Sequence, residues 1–460
     1  DLATPAWVDS IHHGLITRII LDNGALPENY LPYLDINSSA YHPGFHASLA
    51  TFLNLSGLGI NQGMLLFGQV INAVIALSVY LLAVAFTRNH ASGLIPALIT
   101  SAFTAMPAYY TSWGRYPQLA GLIILPLPIA LLVASSSQSI ARKKLNFIIC
   151  AALASSGLLL VHYRVVAFLG CLLLSWAIAE IISTRTQLKS TIKGISVDIF
   201  WLGILTFLIS AVWLIPVMRD TVIPRISTNH AEATYNFFSD FSWHYLTPVF
   251  GKQVIVIAAI GLIWSFVNKH KISIIISGWV IFLFILANLD ALNLPGGSFV
   301  NNSSVAIMLF MPLSVISGYL FEQLTRFWIT IMKKGIRILF ISTLVITLAY
   351  SAWLGSRQII SILNPTTLLS RQADLEAISW IDQNIPDEDI ILINSFSWGY
   401  GLYAGSDGGA WISALAGNPT LPPPVLYGLG SSEQKSHVND ACQKISQLGS
   451  SPDELWEYLQ

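Results

Sequence analysis

The chain has 460 residues, of which 54% are hydrophobic and only 10% are Asp, Glu, Lys or Arg. In soluble proteins about 25% of the residues are charged. The mean hydropathy of this chain is +0.63. The formal net charge of −1 excludes a basic surface that could hold nucleic acid in bulk. The composition therefore excludes a series of soluble globular domains and predicts an all-α polytopic membrane protein.

The apolar stretches predict about ten transmembrane helices, since one span needs about 17 to 25 apolar residues. We place the spans near residues 63–86, 91–111, 117–135, 145–161, 165–183, 197–217, 253–268, 272–289, 303–323 and 337–355. Three parts follow: a first external loop with amphipathic helices (1–62), a transmembrane domain (63–355) and a small external soluble α/β domain (356–460) that we expect to be incomplete.

The basic residues orient these spans, because Lys and Arg are retained in cytoplasmic loops. Thirteen of them follow the odd-numbered spans: Arg88, Arg142, Lys143, Lys144, Arg185, Lys189, Lys193, Lys269, Lys271, Arg326, Lys333, Lys334 and Arg337. Six lie on the opposite side: Arg18, Arg115, Arg164, Arg219, Arg225 and Lys252. This bias predicts a multi-pass protein of the cytoplasmic membrane with both ends outside. An external start implies that a further spanning helix precedes Asp1.

The segment before the first span is too polar to cross a membrane but contains two helix patterns. In the stretch 10–21, five apolar residues recur at helical spacing: Ile11, Leu15, Ile16, Ile19 and Ile20. AsnGly at 23–24 ends this helix, which we expect to lie on the outer membrane surface. A second helix is predicted to open at residues 41–46, where Pro43 fits the first turn.

The longest loop between spans, residues 218–252, is rich in aromatic residues: Tyr235, Phe237, Phe238, Phe241, Trp243 and Tyr245. Aromatic side chains form belts at membrane interfaces, and they also suit a mobile loop over a lipid or sugar site. The sequence leaves both interpretations open.

The region after the last span has the pattern of a small α/β domain. A helix that contains TrpIleAspGlnAsn (380–384) is ended by Pro386, and IleIleLeuIle (390–393) is typical of a buried strand. The segments SerTrpGlyTyrGly (397–401) and AspGlyGly (407–409) indicate loops.

This layout resembles the GT-C superfamily of membrane glycosyltransferases, which includes oligosaccharyltransferases and protein mannosyltransferases. TrpValAspSerIleHisHisGly (7–14) occupies the place of the first external loop, where the superfamily carries its catalytic Asp. The segment 380–386 followed by SerTrpGlyTyrGly looks like the start of the oligosaccharyltransferase external domain, whose motif is TrpTrpAspTyrGly. Gly399 stands where that motif has Asp, and Ser10 follows Asp9 where members often carry a pair of acids. With these departures the chain looks more like the uncharacterised bacterial members of the superfamily.

The resemblance implies that Asp9 is the catalytic base, with Asp35 as the second choice. A carboxylate within hydrogen-bond reach can take the proton of an attacking sugar hydroxyl. The alternative is that Asp9 merely caps the helix that begins near Ser10, a common role for Asp.

Two arginines lie at short external turns, where the charge bias disfavours them: Arg115 in TrpGlyArgTyrPro (113–117) and Arg164 in HisTyrArg (162–164). A lipid phosphate or diphosphate offers bidentate acceptors to Arg. We therefore expect Arg115, Arg164 and the adjacent His162 to bind the donor phosphate. The alternative is that both arginines extend toward lipid headgroups.

Histidines and a carboxylate cluster in the first segment, with Asp9, His12 and His13 at i, i+3 and i+4 and His42 and His46 at i, i+4. His13, His42 and His46 are candidate ligands of a divalent cation, because paired His residues with a carboxylate form a workable ligand set. The alternative is a set of hydrogen-bonded polar groups on an interfacial helix.

We call the region after the last span, residues 356–460, the tail. Its loops supply candidate acceptor-binding residues: Trp398, Tyr400 and Asp407. Loops on a rigid scaffold commonly carry such contacts. A structural cap, with glycines needed only for turns, is the alternative.

The sequence thus favours a glycosyltransferase that moves a sugar from a polyprenyl phosphate or diphosphate to an external saccharide, lipid or protein acceptor. We expect an inverting displacement. Membrane lipids are expected partners, and nucleic acid is not. Two other classes stay open: a lipid-linked saccharide translocase, and a non-catalytic membrane scaffold or receptor. The sequence names no cofactor beyond a divalent cation as one option.

Overall fold

A computed structural model describes residues 2–184, 187–223, 241–294, 296, 299–449 and 451–459. Helices dominate these residues and the strands are short, as the composition predicts. The aromatic-loop interpretation rests in part on Tyr235, Phe237 and Phe238, which lie outside the described residues.

The N-terminal segment contains two helices, α1 (Val8–Asn23) and α2 (Gly44–Ser56), with a small antiparallel pair of strands between them, β1 (Asn29–Tyr30) and β2 (Leu34–Asn37). Both predicted helices exist. The expected surface position of α1 is wrong, because its polar residues His12, His13 and Thr17 are buried as well as its apolar ones. Helix α1 packs against α2 and against the C-terminal region.

The central part of the chain consists of thirteen helices in the described residues. They are α3 (Ile60–Thr87), α4 (Ala91–Ala102), α5 (Ala108–Ser112), α6 (Tyr116–Ile124), α7 (Pro126–Ser136), α8 (Ala141–Val161), α9 (Tyr163–Ser183), α10 (Leu188–Val217), α11 (Gly251–Val267), α12 (Ile272–Ala287), α13 (Asn302–Ala306), α14 (Phe310–Ile331) and α15 (Lys334–Ile360).

Seven helical segments of the described chain are long and apolar enough to cross a membrane: Ile60–Thr87, Tyr116–Ser136, Ala141–Val161, Tyr163–Ser183, Leu188–Asp220, Asn302–Ile331 and Lys334–Ile360. Helices α4, α11 and α12 are apolar but shorter. Together these segments fall on the ten predicted spans, which confirms the polytopic helical fold of an integral membrane protein.

The second predicted span, 91–111, is broken in the structure. Helix α4 ends at Ala102, and the chain resumes helical structure only at α5. Met106 precedes Pro107, and a residue before proline is disfavoured in the helical region. Thr104 in this break forms a β-bridge with Val249, so the interruption is tied to the start of α11.

The helices differ widely in burial. In the segment Asn302–Ile331, which contains α13 and α14, the most apolar stretch is 89% buried. Helix α14 packs against α3, α4 and α11 at the centre of the bundle. The most apolar stretch is only 11% buried in α10 and 6% buried in α15. Helices α10 and α15 therefore lie at the periphery, where lipid would cover their apolar side chains.

Three acidic residues near the ends of spans are paired with basic residues. Lys271 contacts Glu180 at 2.6 Å and Lys144 contacts Asp198 at 2.7 Å.

The third acid, Glu322, pairs with Arg326 and also accepts a hydrogen bond from Asn89 at 2.8 Å. All of these residues lie in or next to loops that the charge bias assigns to the cytoplasmic side. We call this end of the bundle the ion-pair end.

The C-terminal region combines helices with short strands: α16 (Gln372–Asn384), β3 (Ile391–Leu392), β4 (Ser395–Trp398), β5 (Leu402–Gly405), α17 (Ile412–Leu415), β6 (Thr420–Leu421), α18 (Ser432–Leu448) and α19 (Pro452–Leu459). Strands β3 and β6 pair in parallel, and β4 and β5 form an antiparallel hairpin.

This region covers α1. Gly14 permits the close contact, because a Cβ there would lie 2.9 Å from the fully buried ring of Trp411. The N-terminal segment and the C-terminal region therefore share one hydrophobic core rather than folding as separate bodies.

Candidate active site

A cavity of about 630 Å³ opens at the end of the bundle opposite the ion pairs. Each segment assigned to the external side contributes to its wall, as shown by Asp9, Trp113, His162, Tyr245, Asn301 and Thr366. Its volume is in the usual range for small-molecule sites, about 300–1,000 Å³. We call this end of the bundle the cavity end.

Asp9 lies in the first turn of α1 and lines the cavity. The residue at the N-cap position is Trp7, and no side chain caps the helix. The capping role that the sequence left open for Asp9 is thus not what the structure shows. Within the described part of the chain, the Asp9 carboxylate has no hydrogen-bond partner, so it is available to a ligand.

The start of α1 is held in a strained conformation. Trp7 has φ of 69°, a left-handed value that is uncommon for a bulky residue. Its backbone N–H donates to the Thr367 carbonyl at 2.8 Å, and its ring lies 5.1 Å from that of Trp398, edge to face. Strained residues of this kind concentrate at functional sites, and these contacts fix the position of Asp9.

Arg115 is brought beside α1 by a turn that requires glycine. Gly114 has φ of 69°, and a Cβ there would lie 2.6 Å from the backbone nitrogen of Ser10. Arg115 follows at the N-cap of α6, with its guanidinium 5.7 Å from the ring centroid of Trp113.

Arg164 reaches the same cavity from the first turn of α9. Its guanidinium lies 5.9 Å from the ring centroid of Tyr163, and its Nε is buried without a hydrogen-bond partner. Among the residues that the structure describes, neither Arg115 nor Arg164 forms an ion pair or a side-chain hydrogen bond. Both half-buried cations therefore line the cavity without an ion-pair partner among the described residues.

The histidines form a buried cluster beside the cavity. His13 and His162 line the cavity wall, whereas His42 and His46 lie behind it. The ring centroids of His42 and His162 are 4.8 Å apart, and those of His13 and His46 are 5.1 Å apart. His12 completes the cluster through its contact with His13 at 4.2 Å.

Burial keeps these imidazoles neutral. Desolvation lowers the pKa of His12 to about 4 and that of His46 to about 3. Desolvation, reinforced by the neighbouring histidines, also holds the pKa of His13 and His42 well below the usual range.

In the described residues, no group of three His, Cys, Asp or Glu side chains has the geometry to hold a metal ion. The ligand set of His13, His42 and His46 stays a prediction from spacing alone. Both ring nitrogens of His42 are buried and have no hydrogen-bond partner in the part of the chain that the structure describes.

The tail contributes Trp398 and Tyr400 to the cavity wall. Trp398 ends strand β4. Tyr400 lies in the following turn, has φ of 67° and is 84% exposed. Asp407 does not line the cavity. Its carboxylate accepts hydrogen bonds from the Gly409 N–H at 2.9 Å and from Asn394 at 2.7 Å, which stabilise a turn.

Asp35 is also absent from the cavity wall. It lies on β2 with its side chain exposed. The structure thus brings together Asp9, Arg115, Arg164, His162, Trp398 and Tyr400, with His13.

Sequence reasoning missed Gln118, which lines the cavity and is only 5% exposed. Among the described residues, its Nε2 is buried without a hydrogen-bond partner. The sequence offered only a weak signal, because one uncharged polar residue within a predicted span does not by itself indicate a site. Tyr41 was also missed and lies in the wall between His13 and His42.

Solved structures with a similar fold are membrane enzymes. The oligosaccharyltransferase of Archaeoglobus fulgidus, tethered with an acceptor peptide containing the NVT sequon, has a TM-score of 0.57 at 12% identity, covering 95% of this chain and 61% of that one. The same organism's AglB, in complex with an inhibitory peptide and a dolichol-phosphate, has a TM-score of 0.55 at 13% identity, covering 94% and 62%.

ArnT from Cupriavidus metallidurans in the apo state has a TM-score of 0.61 at 13% identity, covering 95% of this chain and 85% of that one. The chain therefore has the GT-C fold, as the sequence resemblance predicts. It spans about three fifths of the length of the archaeal oligosaccharyltransferase.

No curated protein sequence matches this chain. A family model matches residues 3–301, which include α1, the transmembrane helices as far as α12, and Asp9, Arg115 and Arg164. The chain belongs to this family, DUF6541, a family of unknown function.

Proposed function

We propose that the protein is a membrane glycosyltransferase that moves a sugar from a polyprenyl phosphate or diphosphate to an acceptor hydroxyl or amide. One observation carries this proposal: the Asp9 carboxylate and the guanidinium groups of Arg115 and Arg164 line a single cavity. Among the described residues, the Asp9 carboxylate and the two guanidinium groups have no ion-pair partner and no side-chain hydrogen bond.

The two arginines are better explained as ligands of a bound phosphate than as side chains that only contact lipid headgroups. A half-buried guanidinium without an anion is costly, and a phosphate offers it bidentate hydrogen bonds. Trp113 and Tyr163 lie beneath the two guanidinium groups and limit their movement. A dolichol-phosphate is bound by the structurally similar AglB, which supports a lipid phosphate as the ligand here.

The chemistry needs one base and one stabilised leaving group. Asp9 takes the proton of the acceptor as its oxygen or nitrogen attacks the anomeric carbon. The bond between that carbon and the phosphate oxygen breaks, and the phosphate leaves with the electron pair. Arg115 and Arg164 stabilise its developing charge. Attack from the side opposite the leaving group inverts the anomeric configuration.

Aromatic side chains provide surfaces for the sugar and the acceptor. The ring centroids of Trp113 and Tyr245 lie 4.8 Å apart on one part of the wall. Trp398 and Tyr400 also line the wall. Their flat faces complement the apolar faces of sugar rings. We assign Trp398 and Tyr400 to the acceptor because they belong to the tail.

The proposed location of the site is the external face of the cytoplasmic membrane. The cavity end is formed by the loops with few basic residues, and the ion-pair end by the loops with many. A lipid-linked donor can enter the cavity from the adjacent leaflet.

The experiment that tests this function uses purified protein and a panel of polyprenyl-phosphate sugars. We expect one of them to release lipid phosphate in a reaction that depends on Asp9. If the protein instead moves the intact donor between leaflets of a liposome without releasing lipid phosphate, the translocase alternative holds.

A further inference from the structure

His13 and His46 form a directed hydrogen-bond pair beside the cavity. The Nδ1 atom of His13 lies 3.0 Å from the Nε2 atom of His46, and both side chains are buried. The Nδ1 atom of His46 in turn lies 3.2 Å from the backbone carbonyl oxygen of His42. The chain of contacts therefore runs from the cavity wall to a fixed backbone acceptor.

The carbonyl oxygen at the end of this chain sets the direction of every bond in it. A carbonyl accepts but never donates, so His46 Nδ1 must carry the proton and donate it. A neutral imidazole has a single N–H, so His46 Nε2 holds a lone pair and accepts from His13 Nδ1. His13 Nε2 is then left with a lone pair as well.

This remaining nitrogen belongs to a residue on the cavity wall. His13 lines the cavity, and in the described part of the chain its Nε2 has no hydrogen-bond partner. The same wall carries the guanidinium groups of Arg115 and Arg164, which can only donate hydrogen bonds. His13 Nε2, which holds a lone pair and no proton, can only accept one.

We infer that His13 Nε2 is a hydrogen-bond acceptor for a hydroxyl group of the bound substrate, and that His46 is the positioning residue that fixes its tautomer. This inference rests on the proposed function, because it assigns a contact within the same cavity. Burial keeps the pKa of both imidazoles low, so His13 stays neutral and accepts a hydrogen bond without taking up the proton.

The role of Asp9 is distinct from that of His13. The two residues are four apart on α1 and so lie on one face of the helix. Asp9 can take a proton, whereas His13 orients a hydroxyl by accepting its hydrogen bond. The hydroxyl belongs either to the transferred sugar or to the acceptor, and the experiments below separate these sources.

The tautomer is tested by nitrogen NMR of the full chain labelled with [15N]histidine, with the His13 signals assigned from their loss in His13→Gln. We expect His13 Nδ1 to carry the proton and Nε2 to be bare between pH 6 and pH 8. In His46→Phe, which offers no acceptor, the His13 proton should distribute over both nitrogens. In His46→Gln, whose amide oxygen can accept, the original form should return. A His13 protonated at Nε2 in the unmodified protein would overturn the inference.

The contact is tested with a donor that turns over in the lipid-phosphate assay. His13→Phe should weaken either donor binding or the KM for the acceptor by about tenfold, the usual effect of one lost hydrogen bond. His13→Gln should recover most of the loss, because its amide oxygen can accept. His12→Phe is the matched control, since His12 is equally buried but does not line the cavity.

The two arms identify the source of the hydroxyl. A change in donor binding without acceptor assigns it to the sugar, and a change confined to the acceptor KM assigns it to the acceptor. If His13→Phe alters neither quantity while the donor still turns over, His13 makes no substrate contact and the inference fails. If no donor turns over, the proposed function fails, whereas the NMR result still decides the tautomer.

Discussion

The indole rings of Trp7 and Trp398 lie 5.1 Å apart and meet edge to face, although they come from opposite ends of the chain. This contact joins the first turn of α1 to the tip of the β4–β5 hairpin at the cavity wall. The catalytic candidate Asp9 is two residues from one ring, and Tyr400 is two residues from the other. The tail therefore completes the cavity as well as covering α1.

The acceptor role of the tail is best tested by point substitution, because removal of the tail would expose α1. Tyr400→Ala should raise the KM for the acceptor by about tenfold, since a sugar that stacks on its aromatic face loses that surface. Donor binding should change little. Trp380→Ala is the control, because Trp380 is 59% exposed and lies on α16 away from the cavity. Equal effects of the two substitutions would favour a purely structural tail.

The arginine pair should be sensitive to the shape of the cation. Arg115→Lys and Arg164→Lys keep the charge but lose the planar fork, so donor affinity should fall by about tenfold in each while the melting temperature is retained. Binding of a radiolabelled polyprenyl-phosphate sugar measures this.

Arg357→Lys provides a matched control for the arginine variants. Arg357 packs over Trp353 at 5.3 Å, a similar cation–π geometry, but does not line the cavity. Its substitution should leave donor affinity unchanged. If Arg115→Lys and Arg164→Lys bind the donor as tightly as Arg357→Lys and the unmodified protein do, Arg115 and Arg164 are membrane anchors rather than phosphate ligands.

Acid should destabilise the protein through the histidine cluster. The pKa is lowered in the folded state to about 4 for His12 and about 3 for His46, from an unfolded value of 6.5. Between these values the unfolded chain binds more protons than the folded chain, so stability falls as pH decreases below about 6.5 and continues to fall toward pH 4. Thermal unfolding in detergent across this range measures the slope.

The same slope should be smaller in a variant with one buried imidazole fewer. His12→Gln removes a group that binds a proton only after unfolding, so its melting temperature should depend less on pH between 6.5 and 4. An unchanged slope in this variant would show that His12 does not contribute to the acid sensitivity.

The orientation of the cavity end can be measured with single cysteines. Cysteines at Ser38 and Ser432 should react with an impermeant thiol reagent in intact cells, whereas one at Ser139, near the ion-pair end, should not. Cys150 is exposed in the structure and must first be replaced. The reverse labelling pattern would place the cavity on the cytoplasmic side.

The helical framework and the convergence of the site were predictable from the sequence for a simple reason. Alternate loops of a helical bundle meet at the same end, so Asp9, Arg115 and Arg164 were expected to share a side of the membrane. Hydropathy located the spans because the membrane interior tolerates few other sequences. The break after α4 was signalled by Pro107, but the length of the apolar run concealed it.

The burial of α1 could not be predicted, because its periodicity is that of a helix with one polar face. His12, His13 and Thr17 lie in a buried polar cluster instead of facing water, where His13 contacts His46 and Thr17 donates to the His13 carbonyl. Asp35 was the second choice from the sequence, and only the fold places it on an exposed strand. Gln118 was hidden because a single polar residue within a span carries no pattern of its own.

The central claim is that Asp9 removes the proton of the acceptor, and the release of lipid phosphate by Asp9→Asn tests it most directly. Asn has nearly the same shape but cannot take a proton, so the variant should fold, bind the donor as the unmodified protein does, and lose about 100-fold or more in turnover. Near-normal release of lipid phosphate by a folded Asp9→Asn protein would contradict the account.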